Sequence, residues 1–149
     1  MSGTYSFQDV QATMIGSTGL VNLGYGAAVA EEGISIEMAG DKNTMMIGAD
    51  GEGMHSLHAD KSGTITVRLL KVSPTNGVLH AMYDAQTLLS TLHGQNIIVI
   101  RNPVSGDITT ARSCAFKKKP NLNYKKDGDI IEWQFDSIKI DTVLGGLFN

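Results

Sequence analysis

Residues 130–140 read IIEWQFDSIKI, and this stretch indicates the class of fold that the chain adopts. From Ile131 to Phe135 an apolar residue stands at every second position, with polar residues between, which is typical of a strand buried on one face. At Ile138 the apolar positions change parity. One extra residue near position 136 or 137 predicts a β-bulge there, and two strands joined by a bend explain the change equally well.

Further strands are predicted on both sides of this stretch. Residues 63–72, GTITVRLLKV, show the same alternation, and residues 34–38 show it with Ile34, Ile36 and Met38. The β-branched run at 97–101 predicts a more buried strand that ends at Asn102 and Pro103. A Ser-Gly-Asp turn then leads into residues 108–116, which predicts a hairpin.

One helix is predicted, at residues 74–92. Ser73 and Pro74 suit the N-cap and the first turn of a helix, and Gly94 suits its end. Apolar residues recur between them at helical spacing, namely Val78, Leu79, Met82, Tyr83, Leu88 and Leu89. The predicted fold is therefore mainly β, of the α+β class, as a β-sandwich or partly closed barrel with one flanking α-helix.

Size and composition restrict the functional class. The 149 residues suit one domain, 1–149, with a net charge of −3 and a single cysteine. The charge disfavours a generic basic nucleic-acid binder, and the lone cysteine excludes an intrachain disulfide. We see neither a signal peptide nor an apolar run that could span a membrane. We therefore expect no membrane insertion by this chain, and location in a cytoplasm unless an assembly carries it elsewhere.

The segment 41–62, DKNTMMIGADGEGMHSLHADKS, is predicted as a long loop between two strong strands. It lacks sustained alternation and contains three glycines and three methionines. Loops of this length are uncommon in compact domains unless they are functional, and methionine suits adaptable contact surfaces. Two interpretations stay open. The loop packs on another chain, or it folds back on its own domain, with a short strand at residues 45–48.

Catalytic and metal sites find little support. His55, His58 and Asp60 form a conceivable zinc set, but the spacing of a known zinc motif is absent. Cys114 lies in a strand pattern, where a buried, inert thiol is expected. No nucleophile stands at motif spacing from a base. The sequence thus predicts no enzyme activity, no cofactor and no metal, and a metal-binding module is the weaker alternative.

Charge is distributed in blocks along the chain. Residues 31–60 contain seven acids and one base, residues 117–126 contain five lysines and no acid, and residues 127–141 contain five acids and one lysine. Separate acidic and basic surfaces suit head-to-tail contact between identical subunits, because such an interface joins two different patches. The same pattern is also compatible with solubility alone.

Several segments resemble one family of small bacteriophage structural proteins, the tail tube proteins of long-tailed, contractile phages. The resemblance covers essentially the whole chain, and the glycine-rich central segment is its most specific part. The matching segments are AEEGISIEM (30–38), DKNTM (41–45), IGADGEGMHSLH (47–58) and GTITVRLLK (63–71), followed by residues 102–103, 115–118, 120–122 and 132–136.

The resemblance implies a virion structural protein. In such a tail, six copies form a ring, rings stack into a hollow tube, and the inner strands of neighbouring subunits join into one lumen barrel. Phage DNA passes through this tube into the host. The implied partners are the sheath, baseplate and tail terminator proteins, and the implied site is the virion tail, assembled in the bacterial host cytoplasm. A component of a phage-derived secretion or bacteriocin-like particle, or a tail terminator, is the alternative.

Three sets of candidate residues follow from the resemblance and the charge pattern. The loop that reaches onto neighbouring subunits and rings contributes Asp41, Asn43, Met45, Met46, Asp50, Glu52, Met54, His55 and His58. The candidates that face the lumen are Ser35, Glu37, Thr64, Thr66, Glu132 and Asp136. Contacts to another subunit or to the sheath are assigned to Lys117, Lys118, Lys119, Lys125 and Lys126. An acidic lumen would repel double-stranded DNA, whereas Arg68 on the same face weakens this prediction unless it pairs with an acid.

Overall fold

The computed structural model describes residues 3–27 and 29–146, without the side chains of residues 30–32. The predicted domain, 1–149, therefore extends beyond the described residues at both ends. The elements in chain order are a 3-10 turn at Phe7–Asp9, β1 (Gln11–Gly16), β2 (Gly19–Asn22), β3 (Val29–Met38), β4 (Asn43–Ile47), β5 (Gly53–Leu57), β6 (Gly63–Leu70), α1 (Thr75–Thr87), β7 (Asn96–Asn102), β8 (Asp107–Phe116) and β9 (Ile130–Val143).

Seven strands form one antiparallel sheet in the order β2-β1-β7-β8-β9-β6-β3, and β4 and β5 pair separately. The predicted mainly β fold with one flanking helix is confirmed for the described chain. The large sheet is not closed into a barrel, because β2 and β3 end it without pairing to each other. The hairpin β1–β2 was not predicted from the sequence, and β1 extends the sheet by pairing with β7.

The core lies on the face of β6 and β9 that α1 covers. Across these two strands Ile65 pairs with Phe135, and Val67 pairs with Trp133. All four side chains are fully buried, as the alternation predicts. Each large apolar side chain buried in this way contributes about 1.5–3 kcal/mol. The indole Nε1 of Trp133 also donates to Asn76 Oδ1 at 3.0 Å, which ties the first turn of α1 to the sheet.

The helix is shorter than predicted. It ends at Thr87 rather than at residue 92, and Leu88 and Leu89 are exposed instead of packing in the core. After Leu79 and Met82, the next residue of the helix that faces the core is Gln86. Its buried side-chain amide is hydrogen-bonded to the side chain of Asn96. The predicted cap is displaced by one residue, since Pro74 is the N-cap.

The sequence predicts a bulge near residue 136 of β9, but the irregular backbone lies in the neighbouring strand, β8. β9 is a single strand, and it keeps one register with β8 along its length. The register shift occurs between β7 and β8, where Asn96 pairs with Cys114 but Ile98 pairs with Ala111. Ser113 stands in this interval with φ of +54°, a left-handed conformation. The buried positions change parity at the same place in β8 and in β9. The parity change seen in the sequence of β9 therefore follows from the irregular backbone of β8.

Candidate functional site

The segment 41–62 forms a β-hairpin rather than an irregular loop. Met45 pairs with His55 and Met46 pairs with Met54 across β4 and β5. At the tip, Gly48 N donates to Glu52 O at 2.7 Å, and Gly51 adopts a φ of +89°, which favours glycine. The predicted short strand at 45–48 is thus correct in part, because β4 covers residues 43 to 47.

The hairpin exposes large apolar side chains on both faces. Met45, Ile47 and Leu57 lie on one face, and Met46 and Met54 lie on the other, as the strand pairing requires. Met46 is 65% exposed and Leu57 is 87% exposed. Within the described residues β4 and β5 pack substantially only against each other. Residues 43–57 therefore stand apart from the large sheet, whereas Lys61, at the end of the segment, bridges to Lys139 in β9. Contact of the hairpin with another chain stays a prediction.

The two histidines hold the hairpin together. His55 Nδ1 lies 3.1 Å from Asn43 Nδ2, and His58 Nε2 lies 2.7 Å from Thr44 Oγ1. Since Asn43 and Thr44 are neighbours in one strand, their side chains point to opposite faces, and the two imidazoles do so as well. Asp60 instead accepts hydrogen bonds from Ser62, which lower the pKa of its carboxyl group.

These side chains therefore do not converge on a metal. Among residues 3–27 and 29–146, apart from the side chains of 30–32, no cluster of histidine, cysteine, aspartate and glutamate could hold an ion. Cys114 is buried, and burial raises the pKa of its thiol, so it is the inert thiol that the sequence predicts. No helix in the described chain has the length and apolarity to cross a bilayer.

All six lumen candidates lie on one face of the strands β3, β6 and β9. Glu37, Thr64 and Asp136 stand side by side in one cross-strand row, and Ser35 and Thr66 stand with Gln134 in the next. Glu132 follows one row further along, opposite Arg68. This polar face is the side of the sheet opposite the core. Thr66, in the middle of this face, is buried, unlike the exposed Glu37, Glu132 and Asp136.

The side chains of the polar face are hydrogen-bonded to one another. Thr64 Oγ1 donates to Asp136 Oδ1 at 3.1 Å. Arg68 Nη1 donates to Ser35 Oγ at 2.8 Å, and its Nε lies 3.5 Å from Glu132 Oε2. Arg68 therefore pairs with an acid, which is the condition that the lumen prediction required. With the Arg68 charge offset by Glu132, Glu37 and Asp136 are the two carboxylates among the six candidates that Arg68 does not offset.

The candidate lysines lie on an irregular segment between β8 and β9, here called the lysine segment, residues 117–129. Lys117, Lys118 and Lys119 are exposed. Lys125 Nζ lies 3.6 Å from Asp129 Oδ2. A hydrogen bond from Ile130 N, with a smaller effect of Lys125, lowers the pKa of Asp129. Lys71 anchors the segment, because its Nζ donates to Asn123 O at 2.6 Å and lies 3.6 Å from the centre of the Tyr124 ring.

Sequence reasoning missed some residues of these surfaces. Ile47 and Leu57 share the exposed apolar face of the hairpin with Met45, and no alternation in the sequence marks them. Leu122 and Tyr124 are exposed apolar residues within the lysine segment. The pair Asp50-Gly51 is a strong hairpin signal in a sequence, and it would have located the turn at the tip.

Solved structures with the same fold come from contractile injection systems. The chain aligns with a component of the anti-feeding prophage (AFP) baseplate at a TM-score of 0.62 and 10% identity, with 99% of each chain covered. It aligns with a chain of the sheath-tube complex of an extracellular contractile injection system, PVC, at 0.60 and 10%, covering 95% of this chain and 92% of that one. The PVC sheath/tube terminator structure gives 0.60 and 12%, covering 96% and 99%.

At such low identities these structures establish the fold alone. Among curated proteins no sequence matches the chain. A family model does match, and it covers residues 1–145. This model is that of the bacteriophage PhiTE tail tube protein, so it spans the hairpin, the polar face and the lysine segment together. The chain belongs to the bacteriophage PhiTE tail tube protein family.

Proposed function

We propose that this tail tube protein polymerises as stacked hexameric rings, and that the resulting hollow tube conducts phage DNA into the host. The observation that carries the proposal is the β4–β5 hairpin. It exposes Met45, Met46, Met54 and Leu57 to water and has almost no packing on its own domain. An isolated two-stranded hairpin is marginally stable in water, so one with two apolar faces is suited to burial against other copies.

The open edges of the sheet support ring formation. β2 and β3 end the seven-stranded sheet, and β3 is ten residues long. Long edge strands invite pairing with another chain, and a sheet that continues from subunit to subunit removes them. In the proposed ring, six copies contribute their strands to one continuous barrel around the lumen.

The polar face is assigned to the wall of that lumen. Glu37 and Asp136 are exposed carboxylates of this face, and six copies repeat them around every ring. Double-stranded DNA carries a dense negative charge, and unlike charges on the wall would hold it by counterion release. A negative wall instead repels the phosphates over roughly 8 Å, the screening length at physiological salt. DNA would therefore pass without sites at which it adheres.

The proposed partners are the sheath, the baseplate and the tail terminator, and assembly takes place in the host cytoplasm. The related structures come from a sheath-tube complex, a baseplate and a tube terminator, which supports this set of neighbours. The same relatives favour a second candidate, a tube of a phage-derived injection particle that carries no DNA. Finding the chain in particles with DNA-filled heads would separate the first candidate from the second.

Negative-stain electron microscopy of the purified protein tests the proposal. We expect long, hollow, striated tubes whose formation depends on protein concentration. Single rings that never stack would support a terminator instead. A monomer at all concentrations, in the presence and absence of sheath and baseplate proteins, would contradict the proposed polymerisation.

A further inference from the structure

The hairpin and the lysine segment lie at opposite ends of β6. The hairpin precedes the first residue of this strand, Gly63. At the other end Leu70 is followed by Lys71, whose N donates to Asp129 O at 3.1 Å in the lysine segment. A strand of eight residues is roughly 26 Å long. In a stack of equally oriented copies whose axis runs along β6, the hairpin end of one copy meets the lysine end of the next.

The two ends carry opposite charges. Residues 43–57 contain two acids, Asp50 and Glu52 at the tip, and no base. Residues 117–126 contain five lysines and no acid. Among the described residues, an ion pair within 4.0 Å involves only Lys125 of these five. The acids of the hairpin tip and the lysines of the lysine segment are thus complementary in charge, and both groups are exposed.

The lysine segment also borders a groove of about 430 Å³, whose wall includes Lys118, Asn121 and Leu122 beside Gln134 of the polar face. Two acids in the same wall, Asp129 and Glu132, already pair with Lys125 and Arg68.

Apolar surface is available beside these charges. Leu122 is half exposed and Tyr124 is 82% exposed. The hairpin brings methionines, whose flexible side chains adapt to irregular apolar surfaces.

We propose that the hairpin of one copy docks on the lysine segment of a second copy of this chain, the next one along the tube. Asp50 and Glu52 face Lys118 and Lys119, and the methionines cover Leu122 and Tyr124. This proposal rests on the proposed tube. The contact joins two different surfaces of the same chain, so it does not close on itself and extends one ring after another.

Charge reversal with compensation tests the pairing. Asp50→Lys with Glu52→Lys should abolish pelletable tubes, because lysines then face lysines. Lys118→Glu with Lys119→Glu should do the same. All four substitutions in one chain keep the wild-type net charge and restore the opposite signs, so we expect tubes to return. Circular dichroism is the control for folding. We expect each variant to fold, because all four sites are exposed.

The following outcomes would contradict the docking. Tubes that form normally from either reversed pair, or a fourfold variant that does not recover them, would overturn it. If the lysine variant forms normal tubes but no longer binds sheath protein, the lysine segment is a sheath surface and the proposal is wrong. Wild-type chain is assembled in parallel. If it forms no tubes, the proposed function fails together with the docking. If wild-type tubes form and one of the contradicting variant results is obtained, the docking alone is refuted.

A cysteine pair gives an independent readout. Glu52→Cys with Lys118→Cys should yield a ladder of disulfide-linked multimers when assembled tubes are mildly oxidised, whereas buried Cys114 does not react. Glu52→Cys with Asp84→Cys on α1 is the matched control, and it should give no ladder. Equal cross-linking in both, or none in the first, would contradict the contact.

Discussion

Arg68 on β6 stands directly opposite Glu132 on β9, and its guanidinium Nε lies 3.5 Å from the Glu132 carboxylate. The same guanidinium donates to Ser35 on β3, so one side chain links the three strands of the polar face. Because Glu132 is about half exposed, the pair contributes little to stability, roughly 0–1 kcal/mol. Its larger consequence is electrostatic, since it offsets a cation that would otherwise attract phosphate to this face.

Reversing the charge of the polar face should make the tube retain DNA. In tubes of the Glu37→Lys variant, six new cations per ring would replace six carboxylates beside the DNA path. We expect these tubes to hold double-stranded DNA fragments at low salt and to release them as salt rises, because such binding depends on counterion release. Co-sedimentation with labelled fragments measures this.

The control for this measurement is Asp84→Lys on α1, which makes the same charge change away from the polar face. Its tubes should not retain DNA beyond the wild-type level. Equal retention by the Glu37 and Asp84 variants would show that Glu37 does not face the DNA path.

Removing the hairpin should separate folding from assembly. His58 N donates to Lys42 O at 2.9 Å, so residues 43–57 can be replaced by a short glycine turn between two adjacent ends. Since the hairpin barely packs on the domain, the Tm of the remaining domain should be close to that of the unassembled wild type. Polymerisation should be lost in electron micrographs. Normal tubes from this variant would refute the role of the hairpin.

The buried amide pair of Gln86 and Asn96 should be strongly coupled in stability. Asn96 Nδ2 donates to Gln86 Oε1 at 2.7 Å, and Gln86 Nε2 donates back to Asn96 Oδ1 at 2.8 Å. Asn96→Leu leaves the buried Gln86 Oε1 without its partner, whereas Gln86 Nε2 keeps its bond to Thr18 Oγ1, and the loss costs about 1–3 kcal/mol of unfolding free energy. Urea denaturation of the variant in which residues 43–57 are replaced measures this loss of unfolding free energy. Gln86→Met together with Asn96→Leu should cost less than the two single changes added, and simple additivity would refute the coupling.

Acid should destabilise the domain partly through Asp141. A hydrogen bond from Lys61, aided by the charges of Lys139 and Arg112, holds the pKa of this carboxyl below its ordinary value of 3.8. A carboxyl group with a lower pKa in the folded state adds stability above its unfolded pKa, and this stability is lost as the pH falls through the folded value. Urea denaturation between pH 6 and about pH 2 should therefore show a smaller acid-induced loss for Asp141→Asn. An unchanged loss would contradict this assignment.

The strands of the large sheet were predictable because each has one face in the core and one face in water. Ile65, Val67 and Trp133 alternate with polar residues for this reason, and the mainly β class follows from them. The helix start was predictable from Ser73 and Pro74. The end of the helix was not, because Gln86 is buried through its bonds to Asn96 in the next strand, while Leu88 and Leu89 are apolar and exposed.

The hairpin escaped prediction for a different physical reason. Alternation arises when one face of a strand is buried in the same chain, and β4 has both faces exposed, with Met45 and Met46 as neighbours. The candidate lumen residues could be placed on one face because strand register follows from the core pattern. The hairpin meets its partner surface between chains, so no pattern within one chain marks that surface. The surface proposed above is inferred from the charges at the two ends of β6.

A cryo-electron microscopy reconstruction of the polymer formed by the purified protein tests the central claim most directly. We predict a hollow tube with six subunits per ring, in which Glu37, Glu132 and Asp136 face the bore and the β4–β5 hairpin reaches the next ring. A filament without a bore, or a tube in which these three acids lie on the outer wall, would contradict the claim.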